Sequence, residues 1–433
     1  MPTKTSTPQV VLVDGIRIPF QRSNTGYRDL TSYDLARMAV KALLDKTGFD
    51  PNAIDWVLMG SVIQNVNTPN VARDAALAAG IPQNVPAFTI SQACISANRA
   101  ITDGMDLIRT GQAQVVLAGG TESLTDVPIR FRKRFRLKLI DAQKYRKPSD
   151  YLKFFKGLKF SDLLPEIPAV AEFTTGRTMG EDCDMLAARI GINREEQDAY
   201  ALRSHQLAAR ALEEGLLAEE IAPVQVPPTM QTVEKDNGPR GDTTMEKLQK
   251  LKPAFIKPHG TLTAGNSSFL TDGAAMTLLM SEAAAKRLGV QPKAYLRDYV
   301  FTAQDPYEEL LLGPAYAVPR LLDKTGLTLK EIDVFEFHEA FAAQILANLK
   351  LLASDQFARE KLGRERAVGE IPMDKFNTLG GSLSLGHPFG ATGARLVTTA
   401  ANRLIREDGQ FALVAACAAG AMGNAILLER FPG

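Results

Sequence analysis

Two short stretches of the chain carry the side chains of an activated nucleophile. Cys94 lies in Ser91-Gln-Ala-Cys-Ile-Ser-Ala-Asn98, directly before a predicted helix whose positive N-terminal end would favour the thiolate form. His387 lies in the glycine-rich stretch Gly380–Gly393, which also leads into a predicted helix. If the fold brings the two together, the imidazole can take the proton of the thiol. The other interpretation of Cys94 is a small buried apolar residue.

Two further residues could take part in chemistry. Cys417 lies in Ala415-Ala-Cys-Ala-Ala-Gly-Ala-Met-Gly423, where it could be a resolving thiol in redox chemistry or a second acid and base. His338 ends the apolar run of Val334-Phe-Glu-Phe-His-Glu-Ala-Phe341. Taken alone, His338 is better explained as a buried core histidine with a backbone partner, because that situation is common.

An internal repeat predicts how these residues are positioned. Residues 42–60 and 320–338 share Leu-Leu-Asp-Lys-Thr-Gly and, after a short loop, Ile-Asp, without a gap. Each copy predicts a helix that stops at glycine, a short loop and a buried strand. Gly60 and His338 are equivalent in the repeat, so the fold itself does not require a histidine there.

A shorter repetition links the segments around Cys94 and His387. Leu107-Ile-Arg109 and Leu404-Ile-Arg406 each precede a loop and an apolar strand. Cys94 and His387 lie in the turns before the corresponding helices, and in a pseudo-twofold fold these turns can converge. The pattern predicts an α/β protein with two homologous halves, in which helices alternate with apolar strands.

Residues 124–255 interrupt this alternation and include a strongly basic segment. Twelve lysines and arginines but only two aspartates lie between Pro128 and Phe160, so the remainder of this chain of net charge +1 is net acidic. A solvated cationic face is one explanation. Because aromatic and aliphatic residues are interleaved with the cations, attachment to anionic lipid, contact with a partner subunit and attraction of ligand phosphates are others. Nothing else in the sequence supports binding of nucleic acid.

The overall composition is typical of a soluble protein: 433 residues, 45% hydrophobic and 23% charged. Three cysteines are too few for a disulfide framework and fit a reducing compartment. The N-terminal residues show no secretory or transit pattern, so we expect a cytoplasmic location. The apolar run 411–428 is rich in alanine and interrupted by glycine, which favours two buried strands joined by a turn over a membrane span.

Five motifs, taken in order, resemble those of the thiolase family. They are C-I-S-A-N at Cys94, G-N-S-S-F-L-T-D-G-A from Gly265, H-E-A-F from His338, G-G-S-L-S-L-G-H-P-F-G-A-T-G-A-R from Gly380 and C-A-A-G from Cys417. The similarity covers nearly the whole chain. H-E-A-F in place of N-E-A-F, C-A-A-G in place of C-x-G-G and the basic segment resemble the subgroup of the trifunctional-protein β subunit and its bacterial counterparts.

The resemblance implies the thiolase fold, with two βαβαβαββ halves in αβαβα layers and an inserted loop domain. The expected boundaries are residues 1–123 and 256–292 for the N-terminal half, 124–255 for the insertion and 293–433 for the C-terminal half. It also implies a 3-ketoacyl-CoA thiolase of fatty acid β-oxidation, which uses coenzyme A to release acetyl-CoA and a shortened acyl-CoA through an acyl-cysteine. Coenzyme A would be a co-substrate, and neither a cofactor nor a metal is expected.

The functional residues of the family carry over one by one. Cys94 would be the nucleophile, His387 its base and Cys417 the acid and base for the acetyl-CoA enolate and for incoming coenzyme A. The backbone N–H groups of Cys94 and Ala419 would hold one oxyanion, and His338 with His387 would face the enolate oxygen. The residues expected to contact the substrate are Ser268 and Ala264 at the pantetheine arm and Met179 and Phe341 near the thiol, with ordinary core packing as the alternative for the last two.

Some residues depart from the family pattern or have no assigned role. Ala97, Ala419 and Ala421 stand where glycine is usual, and alanine would be strained at any of these positions that needs a positive φ. We expect His205 on the surface of a helix. Cys183 and His259 match no catalytic position.

Two alternative functions and a set of partners follow from the resemblance. A biosynthetic acetoacetyl-CoA thiolase would use the same residues, whereas a silent thiolase-like scaffold or lipid carrier would not need Cys94, His387 and Cys417. The expected assembly is a homodimer joined to a hydratase/3-hydroxyacyl-CoA dehydrogenase α subunit as α2β2. Residues 130–159 could also add peripheral contact with a membrane.

Overall fold

The computed structural model describes residues 7–166 and 171–432. The strands in these ranges are β1 (Val10–Arg17), β2 (Gln21–Arg22), β3 (Trp56–Gly60), β4 (Ala87–Ile90), β5 (Val115–Glu122), β6 (Arg130–Phe131), β7 (Pro165–Glu166), β8 (Val224–Val226), β9 (Gln231–Val233), β10 (Thr271–Ser281), β11 (Ala294–Ala303), β12 (Val334–Phe337), β13 (Phe411–Ala418) and β14 (Met422–Arg430). The α-helices are α1 (Ser32–Thr47), α2 (Val71–Ala78), α3 (Ser96–Arg109), α4 (Lys133–Ala142), α5 (Pro148–Phe155), α6 (Phe160–Leu163), α7 (Met179–Ile190), α8 (Arg194–Glu213), α9 (Met245–Gln249), α10 (Glu282–Leu288), α11 (Gly313–Thr325), α12 (Ala342–Leu352), α13 (Asp355–Phe357), α14 (Ser382–Leu385) and α15 (Thr392–Arg406).

The main strands have the same order in two halves of the chain. In the first half the order is β4-β3-β5-β10-β1, and in the second it is β12-β13-β14-β11. A parallel bridge between Phe335 and Phe376 lies beside β12, where the first half has β4. Strands β1 and β11 pair only at Val11–Tyr295 and Leu12–Ala294, and this short pairing joins the two halves. The predicted βαβαβαββ order is therefore complete in the first half, while one strand of the second half is reduced to a bridge.

The helices form three layers around the two halves of the sheet. Helices α1 and α2 share one apolar cluster with the outer face of the first half, and α11 and α12 share another with the second. Helices α3 and α15 contact each other and pack between the inner faces. Each sheet thus buries both of its faces, as the almost continuous apolar strands require. The result is the predicted αβαβα arrangement.

The internal repeat corresponds to equivalent elements. Helices α1 and α11 end before Gly48 and Gly326, which adopt left-handed conformations with φ of 61° and 72°. Glycine suits this cap because it has no Cβ to clash with the backbone. A 3-10 turn and a buried strand follow each helix, as β3 and β12. The repeated Leu-Leu-Asp-Lys-Thr-Gly is therefore a helix ending in both halves.

A long excursion separates β5 from β10 in the first half. It contains α4 to α9, and its helices α7 and α8 contact α12 and α14 of the second half. The two longest helices of this region are α7 and α8. The first half returns to the sheet with β10 at Thr271, and the boundary at residue 256 stays a prediction.

The apolar run 411–428 forms β13 and β14 with a turn between them, as predicted. Among the described residues, no helix combines the length and the apolar character needed to span a membrane.

Candidate active site

Cys94 lies in a tight turn between the end of β4 and the start of α3. The preceding residue, Ala93, has a left-handed conformation with φ of 47°. Ser96 stabilises the turn, because its hydroxyl accepts the Gln92 N–H at 2.8 Å and donates to the Ala93 carbonyl at 2.7 Å. Cys94 as a whole residue is partly exposed, while its thiol is desolvated by its surroundings.

The structure brings Cys94 together with two histidines from the other half of the chain. His338 follows β12 directly, and His387 lies in the loop between α14 and α15. The centroids of their rings are 3.9 Å apart. The Cys94 sulfur and one ring nitrogen of each histidine all lie within 4.8 Å of one another. A thiol and two imidazoles therefore share one site between the two halves.

Three glycines allow the loop of His387 to approach the strands that end near Cys94. A Cβ atom on Gly120 would lie 1.9 Å from the Gly390 carbonyl oxygen, and one on Gly390 would lie 2.4 Å from the Thr121 carbonyl oxygen. A Cβ on Gly60 would lie 2.7 Å from the backbone at the start of α3. Backbone atoms cannot yield as a flexible side chain can. Glycine at these positions is what lets β3, β5, α3 and the histidine loop meet.

The buried carboxylate of Glu122 holds the same loop. It accepts backbone N–H groups from Val62, Ile63 and Gly390 at 2.9 to 3.0 Å. Burial raises the pKa of Glu122 to about 7, although these hydrogen bonds act in the opposite direction. The carboxylate thus ties the loop of His387 to the segment after β3.

Each histidine uses only one ring nitrogen for the protein. The Nδ1 atom of His338 lies 2.9 Å from Ser382 Oγ, and that of His387 lies 2.7 Å from Thr392 Oγ1. Both Nε2 atoms are buried without a hydrogen-bond partner among the described residues. An unpaired buried polar group is destabilising, so a protein rarely keeps one without a use. The two free nitrogens are therefore candidates for binding a ligand.

The ionisation of the site differs from the expectation for Cys94. Burial raises the pKa of its thiol to about 12, although the N–H groups of Ala419 and Cys94 lower it. Burial also lowers the pKa of His338, to about 3, and that of His387, well below its usual value. The proximity of Cys94 to the N-terminus of α3 therefore does not produce a thiolate. In the free protein, a neutral thiol faces two neutral imidazoles.

Cys417 and the expected backbone donors adjoin Cys94. Cys417 is buried near the end of β13, and its pKa is raised by burial and then by the proximity of the Cys94 thiol, whose ionised form would repel a second thiolate. The N–H groups of Ala419 and Cys94 both interact with the Cys94 sulfur. The structure thus places the second thiol and both predicted N–H donors at the nucleophile. Glu172 Oε1 accepts the Gly420 N–H of the same turn at 3.0 Å.

Of the three alanines that replace glycine, only Ala421 has a positive φ, at 54°. Ala97 lies within α3, and Ala419 is not in the left-handed region. The suspected strain is therefore limited to Ala421 among these positions. A second left-handed alanine, Ala93, lies beside the nucleophile, where the sequence had not suggested strain.

The four residues expected to contact the substrate differ in burial and in what they pack against. Phe341 and Met179 belong to the apolar cluster that contains Cys417, and Phe341 packs edge-to-face on Phe255 with ring centroids 5.9 Å apart. Ser268 is half-buried and donates its N–H to the Ala340 carbonyl at 3.0 Å. Ala264 is exposed.

Segment 261–270 touches both histidine segments. Bridges join Ser267 to Phe341 and Leu270 to His387. The segment that carries Ser268 and Ala264 is thus adjacent to the catalytic candidates.

Sequence reasoning missed the groups that support the histidines. Ser382, Thr392 and Arg395 are fully buried and contact the rings directly or through one another. All three lie inside the quoted glycine-rich motif. A recognisable signal was the arginine in Ala394-Arg-Leu-Val397, because a cation within an apolar helix needs buried partners.

The expectation for His205 is wrong. His205 is only 5% exposed, and its Nδ1 accepts the Arg240 N–H at 3.3 Å. Burial lowers its pKa to about 4. The segment of Arg240, later in the same insertion, covers the face of α8 that carries His205, which a helix pattern alone does not reveal. Cys183 is buried in the cluster of Cys417, and His259 is exposed.

Sequence comparisons agree with this geometry. The profile of the thiolase N-terminal domain matches residues 10–283, and that of the thiolase C-terminal domain matches residues 290–430. The chain belongs to the thiolase family. In this thiolase, His338 and His387 belong to the C-terminal domain and Cys94 belongs to the N-terminal domain. The site therefore lies between the two domains.

This thiolase is similar to proteins from distant organisms. It is 53% identical to the mitochondrial trifunctional enzyme subunit beta of Homo sapiens over 99% of this chain and 90% of the relative. It is 47% identical to the 3-ketoacyl-CoA thiolase of Serratia proteamaculans over 97% of both chains. The crystal structure of human mitochondrial 3-ketoacyl-CoA thiolase superposes with a TM-score of 0.85 at 32% identity, covering 99% of this chain and 100% of that structure. The predicted thiolase fold is confirmed.

Proposed function

We propose that this thiolase is a 3-ketoacyl-CoA thiolase, which transfers an acyl group from 3-ketoacyl-CoA to coenzyme A and releases acetyl-CoA. The observation that carries the proposal is the cluster of the Cys94 sulfur and two histidine nitrogens within 4.8 Å, with Cys417 adjacent. The name of the relative from Serratia proteamaculans, 3-ketoacyl-CoA thiolase, supports the same activity.

In the first half-reaction, the Nε2 atom of His387 takes the proton of the Cys94 thiol as the sulfur attacks the 3-keto carbon. The bond between C2 and C3 then breaks, which leaves an acyl thioester on Cys94 and the enolate of acetyl-CoA. The raised pKa of the thiol and the lowered pKa of the imidazole mean that this transfer is unfavourable in the free protein. We therefore expect proton transfer to accompany attack on bound substrate.

In the second half-reaction, the Cys417 thiol protonates C2 of the enolate, and acetyl-CoA leaves. The Cys417 thiolate next takes the proton of incoming coenzyme A, whose sulfur attacks the acyl group on Cys94. Cys94 departs as a thiolate and regains its proton from His387. The raised pKa of buried Cys417 suits this role, because the thiol keeps its proton until a stronger base forms beside it.

Two negatively charged oxygens develop during this sequence. The N–H groups of Cys94 and Ala419 are aligned on the nucleophile and can stabilise the oxygen on C3. The unpaired Nε2 atoms of His338 and His387 can face the enolate oxygen. Each donor of this kind typically contributes about 3–4 kcal/mol to the transition state. Ser268 and Ala264 are proposed to contact the pantetheine arm, with Met179 and Phe341 lining the apolar wall.

Thiolysis kinetics test the proposal. Purified wild-type protein should convert short- and long-chain 3-ketoacyl-CoA plus coenzyme A to acetyl-CoA, and Cys94→Ala should abolish the reaction. Cys183→Ala, which removes a buried thiol outside the catalytic set, should retain activity. The absence of coenzyme-A-dependent cleavage at every chain length would refute the proposal and favour a silent scaffold. Activity confined to acetoacetyl-CoA would favour the biosynthetic alternative.

We also propose that the chain forms a homodimer through the edge of β4. This strand ends the sheet, and residues Ala87–Ile90 are all half-exposed. An open strand edge readily pairs with a second chain. Sedimentation of the purified protein should give about twice the chain mass of 47.0 kDa, and a monomer would contradict the proposal.

Because the human relative is named a beta subunit, an α2β2 assembly with a hydratase/3-hydroxyacyl-CoA dehydrogenase is the larger complex to test by co-purification.

Residues 130–159 are proposed to contact anionic lipid. Helices α4 and α5 have no buried residue, and apolar side chains lie exposed among their cations. The exposed apolar residues in and around these helices are Ile129, Phe131, Leu137, Leu139, Ile140, Tyr151, Leu152, Phe155 and Phe160. Cations attract anionic headgroups, and apolar side chains can insert below them.

Charge reversal tests the lipid contact. Replacing Arg132, Lys133, Arg134 and Arg136 by glutamate should abolish flotation with phosphatidylserine vesicles while sparing thiolysis of short substrates. If vesicle binding survives but capture of the α subunit is lost, the segment is a protein interface instead. If vesicle binding and capture of the α subunit both survive the substitutions, the basic segment makes neither contact. The cytoplasmic location stays a prediction, and the relatives include mitochondrial and bacterial proteins.

A further inference from the structure

The hydroxyl of Ser382 connects His338 to a buried arginine. Ser382 Oγ lies 2.9 Å from Nδ1 of His338 and 3.1 Å from Nη2 of Arg395. All three side chains are fully buried. The guanidinium is itself held by Glu336, at 3.4 Å, which also pairs with Arg403 at 2.9 Å. The anchored arginine therefore reaches His338 through the serine, at the Nδ1 atom of the ring.

The chemistry of this chain of contacts determines where the hydrogens lie. A guanidinium can only donate hydrogen bonds, so Ser382 Oγ must accept from Arg395. The serine has one hydrogen of its own to donate. Among the described residues its hydrogen-bond contacts are Arg395 and His338, so the arrangement that leaves no buried hydroxyl hydrogen unpaired has Nδ1 of His338 as the acceptor. The hydrogen of the neutral imidazole then resides on Nε2.

We propose that Ser382 and Arg395 are positioning residues that fix His338 as the Nε2–H tautomer, so that His338 presents a hydrogen-bond donor to the reaction centre. The inference rests on the proposed function for the identity of the acceptor, which would be the enolate oxygen of acetyl-CoA. It adds the two residues that decide whether His338 donates or accepts.

His387 meets a hydroxyl with the opposite role. Thr392 Oγ1 donates to the Pro388 carbonyl at 3.0 Å, so it accepts from Nδ1–H of His387 at 2.7 Å. The Nε2 atom of His387 then carries a lone pair, as a base for the Cys94 thiol requires. Two similar rings 3.9 Å apart thus serve as donor and as base because their hydroxyl partners differ.

The charge of Arg395 acts in the same direction. It lowers the pKa of His338 and of His387, in addition to the effect of burial. A neutral imidazole has one N–H, so its tautomer decides its role, whereas an imidazolium would donate from both nitrogens. By favouring the neutral imidazole, the buried arginine ensures that His338 carries a single N–H, whose position the serine then sets.

Nitrogen spectroscopy can read the tautomers directly. The chain has only four histidines, so 15N-histidine labelling gives eight ring signals. Solid-state spectra of the intact protein at pH 7.5 distinguish protonated from unprotonated ring nitrogens. Variants of each histidine assign the signals. We expect His338 to be protonated at Nε2 and His387 at Nδ1. A His338 ring protonated at Nδ1 would overturn the proposal.

Two serines of the same helix provide a matched pair of variants. Ser382→Ala should lower kcat for thiolysis about 10- to 100-fold with little change in KM, because the Nε2–H donor is no longer enforced. The same variant should give His338 signals from both tautomers. Ser384→Ala removes another buried hydroxyl of α14, which contacts Ser204 and Gly381. This variant should leave the His338 signals unchanged and should lower kcat less than Ser382→Ala does. Ser382→Thr, which keeps the hydroxyl, should recover the Nε2–H signal.

The outcomes separate this inference from the proposed function. If Ser382→Ala changes neither the His338 tautomer nor kcat, the positioning role is wrong. If Ser382→Ala and Ser384→Ala lower kcat equally with unchanged spectra, both serines act only through packing, and the role is also wrong. If wild-type protein shows no thiolysis, the proposed function fails, while the nitrogen spectra still decide the tautomer.

Discussion

His338 combines the burial of a core histidine with the free nitrogen of a functional one. Its side chain is fully buried, as its apolar neighbours suggest. A structural histidine would normally use both nitrogens, because an unpaired buried group costs about 1–3 kcal/mol. Among the described residues only Nδ1 of His338 has a hydrogen-bond partner, Nε2 is left unpaired, and one nitrogen of the ring lies in the cluster with Cys94 and His387. This orphaned nitrogen is the residue-scale sign that the position serves a ligand.

Removing this donor should slow thiolysis with little effect on the fold. His338→Ala is expected to lower kcat about 100- to 1000-fold, the range for loss of one oxyanion donor. Steady-state kinetics and circular dichroism would check the rate and the fold. His259→Ala, at an exposed histidine, is the control and should behave as wild type. An unchanged rate in His338→Ala would return the residue to a core role.

The lowered pKa of His338 makes a prediction about acid stability. The folded protein keeps this imidazole neutral down to about pH 3, whereas the unfolded chain takes up a proton near pH 6.5. The contribution to the free energy of unfolding is therefore complete above pH 6.5 and is lost as the pH falls. Between pH 7.5 and 5 the loss from this residue is about 2 kcal/mol.

Denaturant unfolding of wild type and His338→Asn at pH 7.5 and pH 5.0 measures this contribution. Asparagine does not titrate, so the variant should lose about 2 kcal/mol less than wild type over this interval. Equal losses in the two proteins would show that His338 titrates normally in the folded state.

At the scale of elements, two turns hold alanines in conformations that favour glycine. Ala93 precedes the nucleophile after β4, and Ala421 lies between β13 and β14, close to Cys417. A left-handed residue with a Cβ is disfavoured by about 1 kcal/mol or more. Both strained positions adjoin the reaction centre, where surrounding structure over-determines the backbone.

Glycine substitutions should therefore have opposite effects at Ala421 and Ala97. Ala421→Gly is expected to raise the free energy of unfolding by about 0.5–1 kcal/mol, because it relieves a positive φ. Ala97→Gly, within α3, should lower it by about 1 kcal/mol. Denaturant midpoints of the two variants provide the measurement. Destabilisation of similar size at both positions would indicate that Ala421 is not strained.

At the scale of the whole molecule, the site depends on both halves of the chain. The turn of Cys94 comes from the N-terminal half, while His338, His387 and Cys417 come from the C-terminal half. Helices α3 and α15, which follow Cys94 and His387, pack on each other between the sheets. The pseudo-twofold arrangement thus brings the N-terminal ends of these two equivalent helices together at the candidate active site. The basic segment of α4 to α6 lies outside this framework.

Limited proteolysis should distinguish the basic segment from the framework. Helices α4 and α5 have no buried residues, so their backbone should open readily. We expect trypsin to cleave first between Arg130 and Lys159. The two fragments should stay together, because β10 pairs with both β1 and β5 across the cut. Gel electrophoresis followed by size-exclusion chromatography would check this, and early cleavage elsewhere or dissociation of the fragments would contradict it.

Much of the fold was predictable because it repeats in the sequence. The shared Leu-Leu-Asp-Lys-Thr-Gly predicted equivalent helix endings, and both are present at Gly48 and Gly326. The expectations for His205 and for the charge of Cys94 failed for a common reason. Local patterns report a helix face or a helix end, but not what covers it. A later part of the insertion covers His205, and the surroundings of the Cys94 sulfur keep its thiol desolvated.

The sequence by itself determined the two-half α/β plan, the family and the set of reactive residues, because periodicity and ordered motifs are local properties. Only the tertiary structure decided the spacing of Cys94, His338 and His387, the neutral resting state of the site and the hydroxyl partners of the two rings. Those properties arise from burial and from how the chain folds around the rings: the Ser382 partner of His338 is 44 positions away, and the Thr392 partner of His387 is only five. A motif contains both hydroxyls but does not show which ring each one contacts.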